Sequence, residues 1–411
     1  MYGEWKRRMR RWLSAVAIAA GISAWSVAAP AAAAENACAT LSGLVDAAAP
    51  GAIFLPSYPT VQAGPLHGAA FLYDNAAATI ALIGCGQAAK ARRIGDAILF
   101  ALDHDRFWHD GRLRNGYAAG PVGDGPMKLA GWWDDRRKMW LEDRYQAGSD
   151  TGNMAWAMLA LLSLDRTGAG GQYRAGAERI GRWVAGRRDA RGPGGFTGGT
   201  FGHEPDPRRL TWKSTEHNTD LAAAFARLAA ASEAPHWRGL ADAARGFVKA
   251  MWDPGCGCFA AGTADDGSTP NPFLALDAQV WPLLALPGAV DPFAAALATA
   301  EHRLRVDGGF AYGQPGQGLW TEGTAQVALL VRLLGRTSQA KALIAAVESL
   351  RAPAGGYYAS NVPRLPTGFM LDTEPSRPRL YFHLPHLGAT AWAALAERGF
   401  NPFTGTMELP P

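Results

Sequence analysis

The chain has 411 residues, of which 48% are hydrophobic and 18% charged, with a formal net charge of +4. That is ordinary globular composition with length for a large core, and Val/Ile/Thr alternation is nearly absent, which excludes a sheet-built protein and points to an all-α class with apolar faces of Ala and Leu. The first 34 residues carry five Lys/Arg and one acid, so they account for the whole +4 and leave a balanced remainder, in which no basic surface argues for nucleic acid.

Those first residues have the layout of a leader. Lys6, Arg7, Arg8, Arg10 and Arg11 form a charged head, residues 12–27 an apolar run, and Ala-Pro-Ala-Ala-Ala-Ala precedes Glu35. A signal peptide cleaved near Ala34 is expected, and hence a periplasmic or secreted protein. Arg10-Arg11 matches a twin-arginine signal loosely. A retained anchor is the alternative, but the run is short for a span and ends in small residues. No second hydrophobic span follows, and residues 35–411 are expected to form a single domain, acting as a monomer.

Export makes disulfides available to Cys38, Cys85, Cys256 and Cys258. Cys38 and Cys85 are placed to staple the N-terminal segment to the first hairpin. Cys256-Gly-Cys258 is a tight, strained pair. A metal there is disfavoured, because no His sits at ligand spacing. Cys38 follows Glu35-Asn36-Ala37, which is not a lipidation box.

A short helix over residues 38–49 opens the domain. After a Pro/Gly-rich loop, Tyr73-Asp74-Asn75-Ala76 leads an apolar helix through residue 83, and residues 87–102 form its amphipathic partner. Residues 103–149 have little helical periodicity but are dense in Trp and charge: Trp108, Trp132, Trp133, Trp140, Glu142, Asp143. So long a loop within a compact domain is usually functional, and its aromatics argue against disorder.

The same alternation then recurs. Asp150 and Gly152-Asn153-Met154-Ala155-Trp156 open an apolar helix through residue 164, with its partner over 172–188. Thr211 to Asp220 opens the next, with Ser214 or Thr215 as cap, and its partner runs over 236–252. Asp277-Ala278-Gln279 opens a fourth, paired with a helix starting at Asp291-Pro292 and ending near 304. Trp320-Thr321-Glu322-Gly323-Thr324 opens a fifth, paired with 337–350. Tyr381 to Trp392 opens the sixth. Apolar helices belong inside and amphipathic ones outside. Six such pairs in a ring make an (α/α)6 barrel whose inner-helix mouths converge on one pocket.

The phrases at these mouths, with Ser214-Thr215-Glu216-His217-Asn218 among them, resemble the six-hairpin glycosidase superfamily over roughly residues 65–400. The resemblance implies an exported carbohydrate-active enzyme with paired carboxylates over an aromatic cleft. It matches no single characterised family, so no catalytic assignment carries over with it.

The chemistry is argued from the residues. Glycoside cleavage needs a carboxylic acid to protonate the leaving oxygen and a second carboxylate as base or nucleophile. Glu216 and Glu322 each follow a Trp and a Thr at an inner-helix mouth, and Asp74 is the reserve partner. A first-turn carboxylate also simply suits the helix dipole. Trp212, His217, Asn218, Trp320, Asp150, Asn153, Asp277 and His386 are the candidate substrate-binding residues. His383 and His386 flank Pro385 without a third ligand, so no metal is expected, and no nucleotide or phosphate motif calls for a cofactor. A polysaccharide lyase (base Tyr145 or His217, neutraliser Arg144), a sugar epimerase, and a non-catalytic carbohydrate binder remain alternatives on the same scaffold.

Overall fold

The computed structural model describes residues 36–232, 234–371 and 374–411; the expected leader lies outside them. Among the described residues the chain is mainly helical. In order, the helices are α1 (Ala37–Asp46), α2 (Leu72–Gly84), α3 (Ala88–Asp103), α4 (Arg144–Ala147), α5 (Thr151–Asp165), α6 (Gln172–Ala185), α7 (Thr215–Ser232), α8 (Pro235–Ala250), α9 (Leu276–Ala285), α10 (Ala294–Arg303), α11 (Thr321–Leu333), α12 (Thr337–Glu348) and α13 (Leu387–Arg398). No described sheet has more than three strands, so none forms a core.

Two kinds of helix alternate, as the periodicity predicts. In α5 every residue from Thr151 to Leu164 is buried except Asn153. Its partner α6 buries one stripe, Tyr173, Gly176, Ala177, Ile180, Gly181, Trp183 and Val184. An all-round apolar helix must be enclosed, while a striped one covers the outside. The enclosed set is α2, α5, α7, α9, α11 and α13. Each packs on the next in that order, and α13 packs on α2. The striped helices α3, α6, α8, α10 and α12 pack on the enclosed helix before them, and α1 packs on α13. At the axis Trp156, Trp281 and Trp392 meet with ring centroids 5.4–6.0 Å apart, all of them buried.

Helix ends follow local chemistry. Of the two cap candidates for α7, Ser214 takes the role: its Oγ accepts from His217 N–H at 3.2 Å, while Thr215 Oγ1 donates to Ala260 C=O. Pro235 starts α8, and Gly399, at φ 67°, ends α13 in the left-handed region that favours glycine. Asp291-Pro292 do not start α10; they form a turn closed by Ala294 N–H on Asp291 C=O at 3.5 Å, and the α-helix begins at Ala294.

Cys38 and Cys85 are bonded, with Cα atoms 5.7 Å apart, tying α1 to the end of α2. Cys256 and Cys258 are bonded too. Two features differ from expectation. Residues 103–149 are not structureless: they hold an antiparallel hairpin, Gly131–Asp134 with Met139–Glu142, followed by α4. A long hairpin, Arg364–Leu371 with Glu374–Phe382, precedes α13 and has no counterpart in the sequence reading. Among the described residues no helix is long and apolar enough to cross a membrane.

Candidate active site

The amino ends of α2, α5, α7 and α13 open into a cavity of about 530 Å³. Tyr73 of α2, Asn153 and Trp156 of α5, and Glu216 and His217 of α7 line it. So does His386, the cap of α13. The walls are Tyr58, Tyr145, Phe201, Trp212, Tyr312 and Tyr381, and the long hairpin adds Arg377 and Arg379. A cavity that is apolar on its walls with a few converging polar groups has the general character of a ligand site.

Glu216 is the one of the three catalytic candidates that lines the cavity, half-buried at its floor. Asp277 lies behind it, 4% exposed, and the two carboxyl groups share a hydrogen bond. Burial raises Glu216 well above the usual carboxyl range, and the charges of Asp277 and Glu322 raise it further. Burial pushes Asp277 up to about 6, against the opposing pull of Ala278 N–H, which donates to its Oδ1 at 2.6 Å. The pair therefore holds a proton between two oxygens that cannot both ionise cheaply.

Glu322 is sealed off, 1% exposed. It accepts a hydrogen bond from the Tyr73 hydroxyl, which in turn accepts from Trp392 Nε1 at 2.7 Å. Burial pushes Glu322 up to about 7, while the His386 ring and the Tyr73 bond pull the other way. Asp74, 2% exposed, stands 3.2 Å from His386 Nε2 through its Oδ2, and His386 Nδ1 is 3.9 Å from Glu322 Oε2. Ala389 N–H donates to that Nδ1 at 3.2 Å, which favours the neutral tautomer with its proton on Nε2, toward Asp74. Burial opposes charge on His386, but Asp74 and Glu322 outweigh it and raise its pKa; protonating Nδ1 would cost the helix cap. Asp74 and Glu322 thus meet the cavity only through His386 and Tyr73.

Two glycines make these approaches possible. A Cβ on Gly388 would lie 2.7 Å from Asp74 Oδ1 and 3.0 Å from Glu322 Oε2. A Cβ on Gly152 would lie 2.5 Å from the His217 ring.

The remaining candidates divide. Trp212 lines the cavity and packs on His217, with centroids 5.5 Å apart. His217 lines it as a neutral ring, pushed down to about 4 by burial and by the Arg379 charge. Asp150 and Asn153 line it, both positioned by Asn115, whose Oδ1 accepts from Asp150 N–H at 2.6 Å and from Asn153 Nδ2 at 2.8 Å. Asn218 does not: it is fully buried, and its side chain bonds the backbone of Phe196 and Ser214. Trp320 does not either; it is 2% exposed, one layer behind Tyr312 and Tyr381, at 4.8 and 5.6 Å. A Trp before a helix mouth packs into whatever covers that mouth, and the long hairpin covers this one.

Sequence reasoning missed Tyr58, Tyr312, Tyr381, Arg377 and Arg379, which sit in loops and the hairpin. Asp220, one helical turn beyond Glu216, belongs to the same helix opening in the sequence but was not among the candidate site residues. Asp220 is fully buried, and neither oxygen makes a well-formed hydrogen bond; the Trp156 indole N–H is the neighbouring group that favours its charged form. Burial, then the Glu216 and Asp277 charges, raise it far above the carboxyl range. A carboxyl inside an otherwise apolar helix run was the available clue. Among the described residues no group of three or more His, Cys, Asp or Glu is arranged to hold a metal.

No family model and no curated relative matches the sequence. Solved structures match the fold. A glycosidase variant in complex with glucose is 16% identical, with TM-score 0.59 over 88% of this chain and 96% of that one. A cellobiose 2-epimerase from Bacillus thermoamylovorans is 11% identical, with TM-score 0.59 over 87% and 96%. An alpha-amylase from Clostridium perfringens is 8% identical, with TM-score 0.61 over 89% and 98%. At such identities the likeness is one of fold, and the fold is of the six-hairpin glycosidase type.

Proposed function

We propose that this chain is an exported carbohydrate-active enzyme, an (α/α)6 barrel that hydrolyses glycosidic bonds of a poly- or oligosaccharide. The cyclic packing of the six enclosed helices supports the barrel. The two disulfides support an oxidising compartment, periplasmic or outside the cell. The glycosidase, epimerase and amylase neighbours support carbohydrate chemistry.

The observation that carries the reading is Glu216, a carboxyl with a raised pKa at the floor of an aromatic-walled cavity, backed by Asp277. Such a group keeps its proton near neutral pH and delivers it to a leaving oxygen. The aromatic walls suit the C–H faces of sugar rings. In this reading Glu322 is the second carboxylate and works through Tyr73, a residue of the cavity lining whose hydroxyl already donates to it. As water attacks, the Tyr73 oxygen takes the water proton while its own passes to Glu322, so tyrosinate is never formed. That sequence respects the Tyr73 pKa, which burial holds well above its ordinary value.

A screen of glycans with mass analysis of products tests this. Hydrolysis adds one water per bond broken, and Glu216→Gln abolishes it while the fold persists. Near wild-type turnover by that variant would overturn the assignment. A sugar-epimerising reading has one observation in its favour: His217 is a neutral imidazole in the same cavity. It is distinguished by products of unchanged mass and altered configuration.

A further inference from the structure

Among the described residues, Met370 and Met407 are large hydrophobic side chains exposed singly, while three others share one hairpin. Trp133, Trp140 and Met139 are 53%, 57% and 49% exposed on the hairpin of residues 131–142, and Phe107 is 46% exposed. Trp133 and Trp140 are directly opposed across the strands, so their side chains share one face. Neither is loose. Trp133 Nε1 donates to Asp135 Oδ1 at 3.2 Å. Trp140 lies over the Gly131 backbone, where an added Cβ would come within 2.2 Å of its Nε1. Arg106 clamps the foot of the hairpin, bonding Glu142 through both outer nitrogens at 2.7 and 2.6 Å and Glu204 through Nε at 2.6 Å. The next residue, Asp143, lines the cavity and caps α4, which carries Tyr145 into the cavity wall. From Trp140 to Asp143 the chain covers roughly 10 Å.

We propose that the Trp133–Trp140 face is a glycan-binding platform that holds the continuing chain of a polysaccharide beside the cavity, so that the substrate is a polymer rather than a short oligosaccharide. This rests on the carbohydrate reading of the cavity. Indoles held with a face open to water suit the C–H faces of sugars, and the polar turn beside them, Asp134 to Lys138, offers partners for hydroxyls. The same turn argues against a membrane, since an inserting hairpin carries its apolar residues at the tip and this tip is Asp-Asp-Arg-Arg-Lys. A second copy of the chain fits poorly. Two indoles are far short of the roughly 800 Å² per partner of a stable interface, and Met139 points to the other face.

The test is electrophoresis of the full chain through gels containing soluble starch, hydroxyethyl cellulose, mannan or alginate. The wild type is retarded in at least one. Trp133→Ala/Trp140→Ala weakens that binding roughly tenfold, and Trp140→Tyr, which keeps a stacking face, retains most of it. Turnover of a short oligosaccharide stays unchanged in both variants, while KM for the retarding polymer rises in the double alanine variant. Retardation needs no turnover, so it reports on the platform even if the cavity proves not to be hydrolytic. Equal migration of wild type and double variant in every gel overturns the proposal. So does a double variant that loses binding to anionic vesicles, or a dimer, instead of glycan.

Discussion

Glu216–Asp277 and Asp74–His386–Glu322–Tyr73 are two acidic centres built from the same kind of part, a carboxyl in the first turn of an enclosed helix. They differ in what stands between the carboxyl and the cavity. Half-buried Glu216 opens on the cavity, whereas Glu322 is covered by Tyr73 and His386. The difference teaches that burial has two separate effects. It raises the pKa of both groups, but only the open one can give its proton directly to a bound molecule. The covered one must act through the phenol or the imidazole above it.

The comparison breaks most sharply at Glu216. We predict that Glu216→Gln lowers kcat by about 10²–10⁴-fold, with circular dichroism and melting temperature near wild type, because the amide keeps the shape and cannot donate a proton. Tyr73→Phe comes next. If the covered centre works through the phenol, removing one oxygen costs roughly 10–10²-fold in kcat. If Tyr73→Phe is as active as wild type while Glu322→Gln is dead, Glu322 reaches the substrate by another route.

The pH profile sharpens the same contrast. Glu322 must be ionised to accept a proton, so kcat/KM should rise with pH through about 7. Glu216 must be protonated, so activity should fall at higher pH. Asp277→Asn removes the neighbouring charge that raises Glu216 most and that raises Glu322 only as the last of its causes, so it should shift the falling limb to lower pH by more than the rising limb. A rising limb that moves further than the falling one would mean that the roles are reversed.

Stability gives a smaller effect of defined sign. Folded Glu322 holds its proton up to about 7, against an ordinary value of 4.5, so between those values the folded chain binds a proton that the unfolded chain has released. The stability contributed by that group is present below 4.5 and is lost as pH rises through 7. Denaturant unfolding of Glu322→Gln should therefore fall less steeply across that window than the wild type. Smallest is Gly388→Ala, whose methyl would press on Asp74 and Glu322 together. It should lower stability by about 1–3 kcal/mol and disturb the covered centre while leaving the Glu216–Asp277 hydrogen bond intact.

Much of the scaffold was legible without coordinates. The six mouths expected near residues 74, 151, 216, 277, 322 and 387 coincide within a few residues with the starts of α2, α5, α7, α9, α11 and α13. Apolar residues on every face of one helix and on one stripe of the next are properties of short windows, and enclosure follows from them. Asp220 shows the limit within a helix: its place in an apolar run was visible, but its lack of a well-formed hydrogen bond was not.

The amino-acid sequence by itself determined the helices, their alternation and the clustering of acids at one set of helix ends, because each depends on residues close along the chain. It could not rank Glu216 against Glu322, since both follow Trp and Thr into a first turn. That ranking was made by Tyr73 and His386, which are 249 and 64 residues from Glu322 along the chain, and by the hairpin of residues 364–382, which brings Tyr381 over Trp320 and the arginines to the rim of the cavity. Exposure is set by whatever distant segment comes to rest on a group, and only the tertiary structure holds that information.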